Sequence, residues 1–445
     1  MNPRTAAAGQ SIWQDLAEDT FRGHLVHLEE RTNAVPIDTQ LFPLPPDTQP
    51  QSHDLSLDDE QSLADSFAFL AAAEQGAQSV AAVCLEEAVD QGAITVRFAA
   101  VDTINSFLRE SLDKFRLLLI EIAKTPESDG SDDCNQLQPL DSVFDSILEL
   151  HNRRLIARLR SSKWEKPVYL SRTHKKALWQ DFRNLVHRVQ FLYTKKEKES
   201  RLAVESAIEN LAKLYQEFET TPPENEFSHL SNLVRSTYQL CTSQLIRDYA
   251  HRLGSMGPTP QIRSAVKTLR QIEKIAAYYR VASTLVQVLR KYRRNFQSLE
   301  FTYLQPYSSI PTSIGYEAWA KTCHIHAEIQ LIVYYDTHQN HCNQTSRPPR
   351  VIGTSKYLCY LCYLFIERHG RFPTTNTHGR LYDQWTVPDL REYSEPQREK
   401  YKQILQAVDE EIVKRGDEPP LWRLEPMTSR ENLLGMADEC GPTLD

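Results

Sequence analysis

Two stretches in the C-terminal third of the chain decide its fold and its candidate chemistry. Residues 326–335 are HAEIQLIVYY, and residues 351–370 are VIGTSKYLCYLCYLFIERHG. The first stretch predicts a buried helix that begins near His326, and VIGTS predicts a short buried strand. A second helix is predicted to begin close to Cys359 and to end at Gly370. With the alternating SLEFTYLQ upstream, the order strand, helix, strand, helix predicts a sheet with helices packed against it.

Three side chains in these stretches have the chemistry of a zinc site. Zinc prefers histidine nitrogen and cysteine thiolate, and a catalytic site has three protein ligands and an open fourth position. Cys359 and Cys362 are three residues apart, so they share one face of a helical turn. A helix N-terminus also favours the thiolate form. We therefore predict that His326, Cys359 and Cys362 bind Zn²⁺.

Glu328 adds a proton carrier to this set. It follows His326 by two residues, so its side chain points elsewhere and is predicted not to be a ligand. Zinc lowers the pKa of a bound water towards about 7, and a neighbouring carboxylate can pass the released proton to a leaving ammonia. The pattern H-x-E…C-x-x-C is typical of zinc deaminases, in which zinc-bound hydroxide attacks C4 of cytosine or C6 of adenine. We therefore predict that Glu328 is the catalytic proton shuttle of a hydrolytic deaminase.

The same run resembles a known family. Over about 295–385 the chain is similar to the fungal OTT-type deaminases, a branch of the cytidine-deaminase-like superfamily. This resemblance implies an α/β/α sandwich with zinc between two helices, and it implies the roles given above. Two positions depart from the wider superfamily: Leu358 stands where proline is common, and no asparagine occurs in 296–325, where many members have one. The second departure leaves the substrate open among nucleosides, nucleotides and nucleic acids.

Further residues are candidates for substrate binding. Ser355 and Lys356 precede the cysteines, and His378 follows them; all three belong to the run that carries the resemblance. His378 could equally be a loop histidine, and Lys356 a solvated strand end. Tyr382 and Trp385 could stack on a base, although aromatic residues in such a segment more often belong to the core.

Several alternatives accompany the metal site. The cysteine pair could be a buried apolar pair or a redox pair, and Glu328 could simply favour a helix N-terminus. Cys323 and His324 are interpreted as loop residues. For the whole chain, the alternative to an enzyme is a catalytically silent, zinc-stabilised interaction protein. The sequence offers no fourth ligand of matching spacing, which argues against a purely structural zinc site.

The bulk composition is that of a globular protein with more than one domain. The chain has 445 residues, 40% of them hydrophobic and 25% charged. No run of about 18 apolar residues predicts a membrane helix, and the N-terminus has no apolar signal region. The eight cysteines are scattered rather than arranged as a disulfide framework. We therefore expect an intracellular protein of the cytoplasm or nucleus.

The segment pattern predicts an α+β fold, with a mostly α-helical N-terminal region followed by a cytidine-deaminase-like α/β/α sandwich. The expected parts are residues 1–60, acidic, Pro-rich and partly disordered; 61–295, a helical region of unknown role; 296–390, the zinc domain; and 391–445, a C-terminal helix and tail. Helices are expected over 61–90, 99–124, 140–162, 173–217, 228–253 and 260–294.

Charge is distributed unevenly along the chain. Residues 1–70 carry 12 acids and 3 bases, a balance of −9, whereas residues 151–200 carry 14 bases and 4 acids, a balance of +10. The basic segment predicts contact with a polyanion or a protein partner, or it is a solvated helix face. No membrane contact is expected, and the sequence does not decide the oligomeric state.

Overall fold

The structure of the protein is a computed structural model that describes residues 11–47, 52–74, 79–88, 92–125, 133–167, 176–257, 259–338, 346–423 and 426. The chain divides into two compact units. The first, called here the sheet unit, contains the described parts of 1–129 and 287–430. The second, called the helical unit, contains the described part of 130–286. The predicted α+β class is confirmed.

The secondary-structure elements follow in chain order. The first are α1 (Glu18–Thr32), β1 (Gln40–Leu41), α2 (Leu57–Ala71), β2 (Ala81–Ala88), β3 (Ile94–Ala100) and α3 (Ser106–Lys124). Six helices come next: α4 (Asp133–Leu159), α5 (Phe182–Leu192), α6 (Lys198–Thr220), α7 (Glu226–Thr242), α8 (Gln244–Gly254) and α9 (Pro260–Lys291). The last are α10 (Arg293–Phe296), β4 (Leu299–Tyr303), β5 (Ile310–Pro311), β6 (Thr322–Ile325), α11 (Ala327–Thr337), β7 (Ser346–Arg347), β8 (Gly353–Thr354), α12 (Tyr360–His369), β9 (Asn376–Thr377), β10 (Trp385–Thr386) and α13 (Glu395–Asp417).

A five-stranded sheet lies at the centre of the sheet unit. Its order is β4-β3-β2-β7, and β8 also pairs with β2. β2 and β3 are antiparallel, whereas β3 and β4 are parallel. Alternate residues of the strands meet different helices: Phe98 of β3 contacts Phe67 of α2, whereas Ala82, Cys84 and Ala99 belong to the core formed with α11 and α12. Helices therefore cover both faces of the sheet.

The two longest strands of this sheet correct the predicted helix over 61–90. That range contains α2 and then β2, and β3 follows before α3. The segment is rich in alanine and leucine, which favour helices, and β2 is buried on both faces, so the alternation that reveals a strand is missing. Because β3 pairs with β4 and β2 pairs with β3, the sheet behind the expected domain 296–390 comes partly from outside it. The two compact units thus have different boundaries from the four expected segments.

Described parts of the N-terminal segment 1–60, which was expected to be acidic, Pro-rich and partly disordered, belong to the folded sheet unit. Within its described part, Val35, Ile37 and Leu55 are buried, and β1 pairs antiparallel with β9. α1 packs against α13. Apolar side chains between the prolines become buried and the backbone of β1 pairs with β9, which together offset the ordering entropy. Residues 1–10 and 48–51 lie outside the described residues.

The helical unit consists of helices and short 3₁₀ turns in its described residues. The helix expected over 173–217 is two helices, because Thr194 forms a capping box with Glu197 and starts a new one. The helix expected over 228–253 is likewise interrupted at Ser243, whose side chain accepts from Ile246 N–H. Residues 168–175 lie outside the described residues. Among the helices that are described, none combines the length and the apolar character that a membrane span requires.

A buried polar cluster ties α11 and α12 to α13. Asp336, at the C-terminal end of α11, is 2.8 Å from His369 Nε2 of α12, accepts from Tyr401 O–H of α13 at 3.0 Å and from Arg371 at 3.2 Å. Burial acts to raise the pKa of Asp336, but the hydrogen bond with His369 and the other contacts outweigh it and lower the pKa. The carboxylate therefore stays charged and holds the ends of two helices together.

Candidate metal centre

The beginnings of α11 and α12 meet at one point. His326 is the N-cap residue of α11, directly after β6, and Cys359 is the N-cap residue of α12. His326 Nδ1 lies 3.5 Å from Cys359 Sγ and 3.4 Å from Cys362 Sγ. The three donor atoms all lie within 4.8 Å of one another. The structure thus brings together the three residues that the sequence analysis selected as metal ligands.

These distances fit a tetrahedral zinc ion. With Zn–N of about 2.1 Å and Zn–S of about 2.3 Å, tetrahedral ligands place the nitrogen about 3.6 Å from each sulfur. The N–S distances of 3.5 and 3.4 Å are close to that value. Zinc also prefers thiolate sulfur and imidazole nitrogen as ligands, whereas Mg²⁺ and Ca²⁺ prefer oxygen ligands. The group is therefore compatible with zinc, and three protein ligands leave one position open.

The two cysteines differ in electrostatic surroundings. Burial opposes ionisation of Cys359, but its hydrogen bonds with Cys362 and the nearby His326 outweigh that and hold its pKa well below the usual range. Cys362 N–H also donates to Cys359 Sγ at 3.3 Å, as a helix cap. Burial and the Cys359 sulfur raise the pKa of Cys362. One sulfur is thus already stabilised as a thiolate by the fold itself.

Glu328 lies beside the ligand group and outside it. It is the second residue of α11 and is almost completely buried. Its Oε2 lies 3.6 Å from Cys362 Sγ, yet the carboxylate does not belong to the set of mutually close donor atoms. Burial raises the pKa of the carboxyl. A carboxyl group in this place can exchange a proton with a molecule in the open coordination position without occupying it.

His378 and Tyr382 extend the site on one side. His378 is buried; its backbone N–H donates to Leu358 O at 3.0 Å, and its Nδ1 accepts from Arg380 N–H at 3.0 Å. The Tyr382 ring lies 6.0 Å from the His378 ring and 6.1 Å from the His326 ring, between centroids. Burial lowers the pKa of His378 to about 4, so its ring is neutral at pH 7. These two rings are therefore placed next to the metal ligands.

The other candidates have different positions. Ser355 extends the pairing of β8 with β2: its N–H donates to Ala81 O at 3.0 Å, and its Oγ accepts from Ala81 N–H at 3.1 Å. Its hydroxyl oxygen is thus an acceptor at the edge of the β8–β2 pairing. Lys356 lies close enough to His378 to act on the pKa of that ring. Cys323 and His324 are not loop residues, because both lie in β6, where backbone pairing fixes them beside β5 and β10.

The N-terminal segment is a part of this site that the sequence analysis missed. Leu381 N–H donates to Ala34 O at 2.8 Å, so the segment before β1 supports the loop that carries Tyr382. Gly379 has φ +74°, and a Cβ there would lie 2.0 Å from Ile37 O. Glycine is needed for both reasons. In the sequence, only the pair His378-Gly379 indicated a close contact here, and it does not show which segment packs against the glycine.

Comparison with known proteins assigns the segment that holds these residues. Residues 325–389 match the model of a family described as OTT_1508-like deaminase. No curated protein and no solved structure shows a significant match to the chain. The matched range contains all three donor residues, Glu328 and His378. Residues 325–389 are therefore similar to the OTT_1508-like deaminase family.

Proposed function

We propose that the protein is a zinc-dependent hydrolytic deaminase of a nucleobase, cytosine or adenine, carried by a nucleoside, a nucleotide or a nucleic acid. The observation that carries this proposal is the position of Glu328: a buried carboxyl group 3.6 Å from Cys362 Sγ, beside three donor atoms that fit zinc. A site for structural zinc needs a fourth protein ligand and has no use for a buried acid next to it.

Three residues would hold the metal, through His326 Nδ1, Cys359 Sγ and Cys362 Sγ. When bound there, zinc supplies Lewis acidity that makes water available as a nucleophile near neutral pH. The two helix N-termini add positive potential around the sulfurs, which favours their thiolate forms. The Asp336 cluster at the other end of α11 and α12 keeps the two helices in a fixed relation. The ligands are therefore positioned before any metal binds.

Glu328 Oε2 would move the protons of the reaction. It takes one proton from the attacking water and gives it to ring N3 of cytosine or N1 of adenine, and it then carries the second proton of that water to the amino nitrogen that leaves. The overall change balances: the C–N bond at C4 of cytosine or C6 of adenine breaks, a C–O bond forms from water, and ammonia departs. The product is uracil or hypoxanthine. Since Glu328 is almost completely buried, bulk water does not compete for this proton.

Four further residues are proposed to contact the substrate. The Tyr382 ring offers an apolar face beside His326, and His378 offers a nitrogen next to that face. Lys356 adds a positive charge near His378. An aromatic face and a hydrogen-bonding nitrogen are the groups with which proteins commonly bind a base that has left its stack. Ser355 Oγ accepts from Ala81 N–H of β2, so the O–H of this side chain is the group proposed to contact the substrate.

The test compares Glu328→Gln with wild type on a panel of cytidine, adenosine, their nucleotides, and single-stranded DNA and RNA. Ammonia release by Glu328→Gln is expected to fall by at least about 10²-fold, because the amide cannot carry the proton. The variant should keep its zinc. Glu367→Gln, an equal change at an exposed position of α12, is the control and should keep full activity. Equal ammonia release by Glu328→Gln and wild type would contradict the proposal.

The basic segment adds a proposed partner. Arg183, His187 and Phe191 are exposed at intervals of four residues along α5, and Phe191 is 61% exposed. Arg188 lies over the Phe191 ring at 4.8 Å. Asp181 and Glu197, the acids at the two ends of α5, are already paired with Arg160 and Arg252. A positive surface with an exposed aromatic ring suits a single strand of nucleic acid, which offers phosphates and bases together.

A further inference from the structure

Trp385 occupies a place next to both halves of the ligand group. It begins β10, which pairs in parallel with β6 so that Trp385 lies opposite His324 and Thr386 opposite Ile325. The chain reaches His326 one residue later. The Trp385 ring also contacts Phe365 of α12, with centroids 5.9 Å apart, one turn after Cys362. The indole thus lies between the strand that leads to one ligand and the helix that carries the others.

The indole N–H of Trp385 is an unusual donor. The side chain is completely buried, and Nε1 has no acceptor at standard hydrogen-bond geometry among the described residues. Buried donors are nearly always satisfied, so an exception calls for an acceptor that the folded chain alone does not supply. The candidate acceptor is Cys362 Sγ, because Cys362 belongs to the same buried core as Trp385 and lies one turn before Phe365, which the indole ring contacts.

We propose that Trp385 is a positioning residue whose indole N–H donates a hydrogen bond to the Cys362 sulfur when a metal is bound. This inference rests on the metal site of the proposed function and does not depend on the reaction. A thiol is a weak acceptor, whereas a metal-bound thiolate carries negative charge and accepts well. The hydrogen bond would fix the direction of the Cys362 sulfur and reduce the charge that it donates to the metal.

The test removes the donor and keeps the ring. Trp385→Phe is loaded with Co²⁺, and the thiolate-to-metal charge-transfer band and the affinity for Zn²⁺ are measured. Without the N–H the sulfur lone pair rises in energy, so the band is expected to move to lower energy. Zinc affinity is expected to fall about 10- to 100-fold, as is usual when a group that orients a ligand is lost. Neither readout needs a substrate.

The matched control is Tyr360→Phe. The Tyr360 hydroxyl is also buried without an acceptor at standard geometry, and it lies on the same helix, near Arg415 of α13. Its removal should leave the band and the affinity unchanged. If Trp385→Phe behaves like Tyr360→Phe, the proposal is overturned. If Trp385→Phe does not fold, wild type loaded with a spin-active cadmium isotope decides: a scalar coupling between the metal and an indole proton supports the proposal, and its absence overturns it.

These outcomes separate two failures. Loss of ammonia release in Glu328→Gln concerns the reaction, while the cobalt band and the zinc affinity concern only the ligand environment. A wild-type protein that fails to bind Co²⁺ or Zn²⁺ would overturn the Trp385 hydrogen bond together with the metal site. A protein that binds metal, shows the Trp385 effect and deaminates nothing would leave the hydrogen bond standing and contradict the proposed activity.

Discussion

Cys359 is both the N-cap residue of α12 and a candidate metal ligand. Its sulfur accepts the Cys362 N–H as the cap of α12, and the same sulfur lies 3.5 Å from His326 Nδ1. The local rule that places a polar side chain at a helix start therefore also places a metal ligand. Spacing could therefore contribute, together with ligand chemistry and the family resemblance, to the prediction of the three ligands, because each lies in the first turn of a helix or at its cap, where sequence position determines direction. The positions of the Trp385 and Tyr382 rings beside the site could not be predicted in this way, because only long-range pairing brings these rings there.

His378 yields a prediction at the scale of single atoms. Since Nδ1 accepts from Arg380 N–H, a neutral ring must carry its proton on Nε2. His378→Gln can replace the Nε2–H donor, whereas His378→Asn can replace only the Nδ1 acceptor. If Nε2–H contacts the substrate, His378→Asn should lose about tenfold more kcat/KM than His378→Gln, the worth of one hydrogen bond. The measurement is ammonia release at equal zinc content. Full activity of His378→Asn would contradict the assigned contact.

At the scale of elements, a helix or strand could be predicted where its sequence has a clear hydrophobic period or a clear cap. β4, α11, β8, α12 and α13 were predicted close to their observed places, because each has a clear period or a clear cap. β2 and β3 were not: β2 is covered on both faces and is an apolar run with no period, whereas β3 alternates only over its first five residues. The turn before β3 did carry a signal, Gly92 with φ +59°. A single glycine in an alanine-rich run was too little to separate a hairpin from a helix.

The close packing of β8 against α2 gives a prediction about stability. A Cβ at Gly353 would lie 2.2 Å from the backbone carbon of Ala64, so neither helix nor strand could avoid the overlap by a side-chain rotation. Gly353→Ala should lower the free energy of unfolding by at least about 2 kcal/mol. Gly23→Ala, in the middle of α1 with nothing within 4 Å, is the control and should raise it by about 0.5–1 kcal/mol. Urea unfolding measures both. Equal stability of Gly353→Ala and wild type would show that α2 does not pack there.

At the scale of the whole molecule, the division into two units does not follow the order of segments in the chain. The sheet unit is assembled from residues before and after the helical unit, and its β2–β3 hairpin lies far in sequence from β4. A domain boundary read from composition cannot reveal such a division, because the composition changes where helices begin and not where contacts end. The family match covers 325–389 and therefore leaves the hairpin outside it.

The helical unit carries the prediction about partners. Binding of a labelled single-stranded oligonucleotide should weaken about tenfold in Phe191→Ala, the worth of one stacked base. Arg183→Glu should weaken binding and reduce its dependence on salt. Phe227→Ala, an exposed phenylalanine of α7 in the same unit, is the control. Fluorescence polarisation at two salt concentrations measures all three. Unchanged affinity in both Phe191→Ala and Arg183→Glu would contradict the proposed surface and leave the metal site untouched.

The central claim is that His326, Cys359 and Cys362 form a zinc site with Glu328 beside it. The most direct measurement is the metal content of the purified chain. Wild type and Glu328→Gln are predicted to carry about one zinc ion per chain, since Glu328 is not a ligand, and Cys359→Ser to carry almost none. A wild-type protein without zinc that takes up none when it is offered, or a Cys359→Ser variant that keeps its ion, would contradict this account.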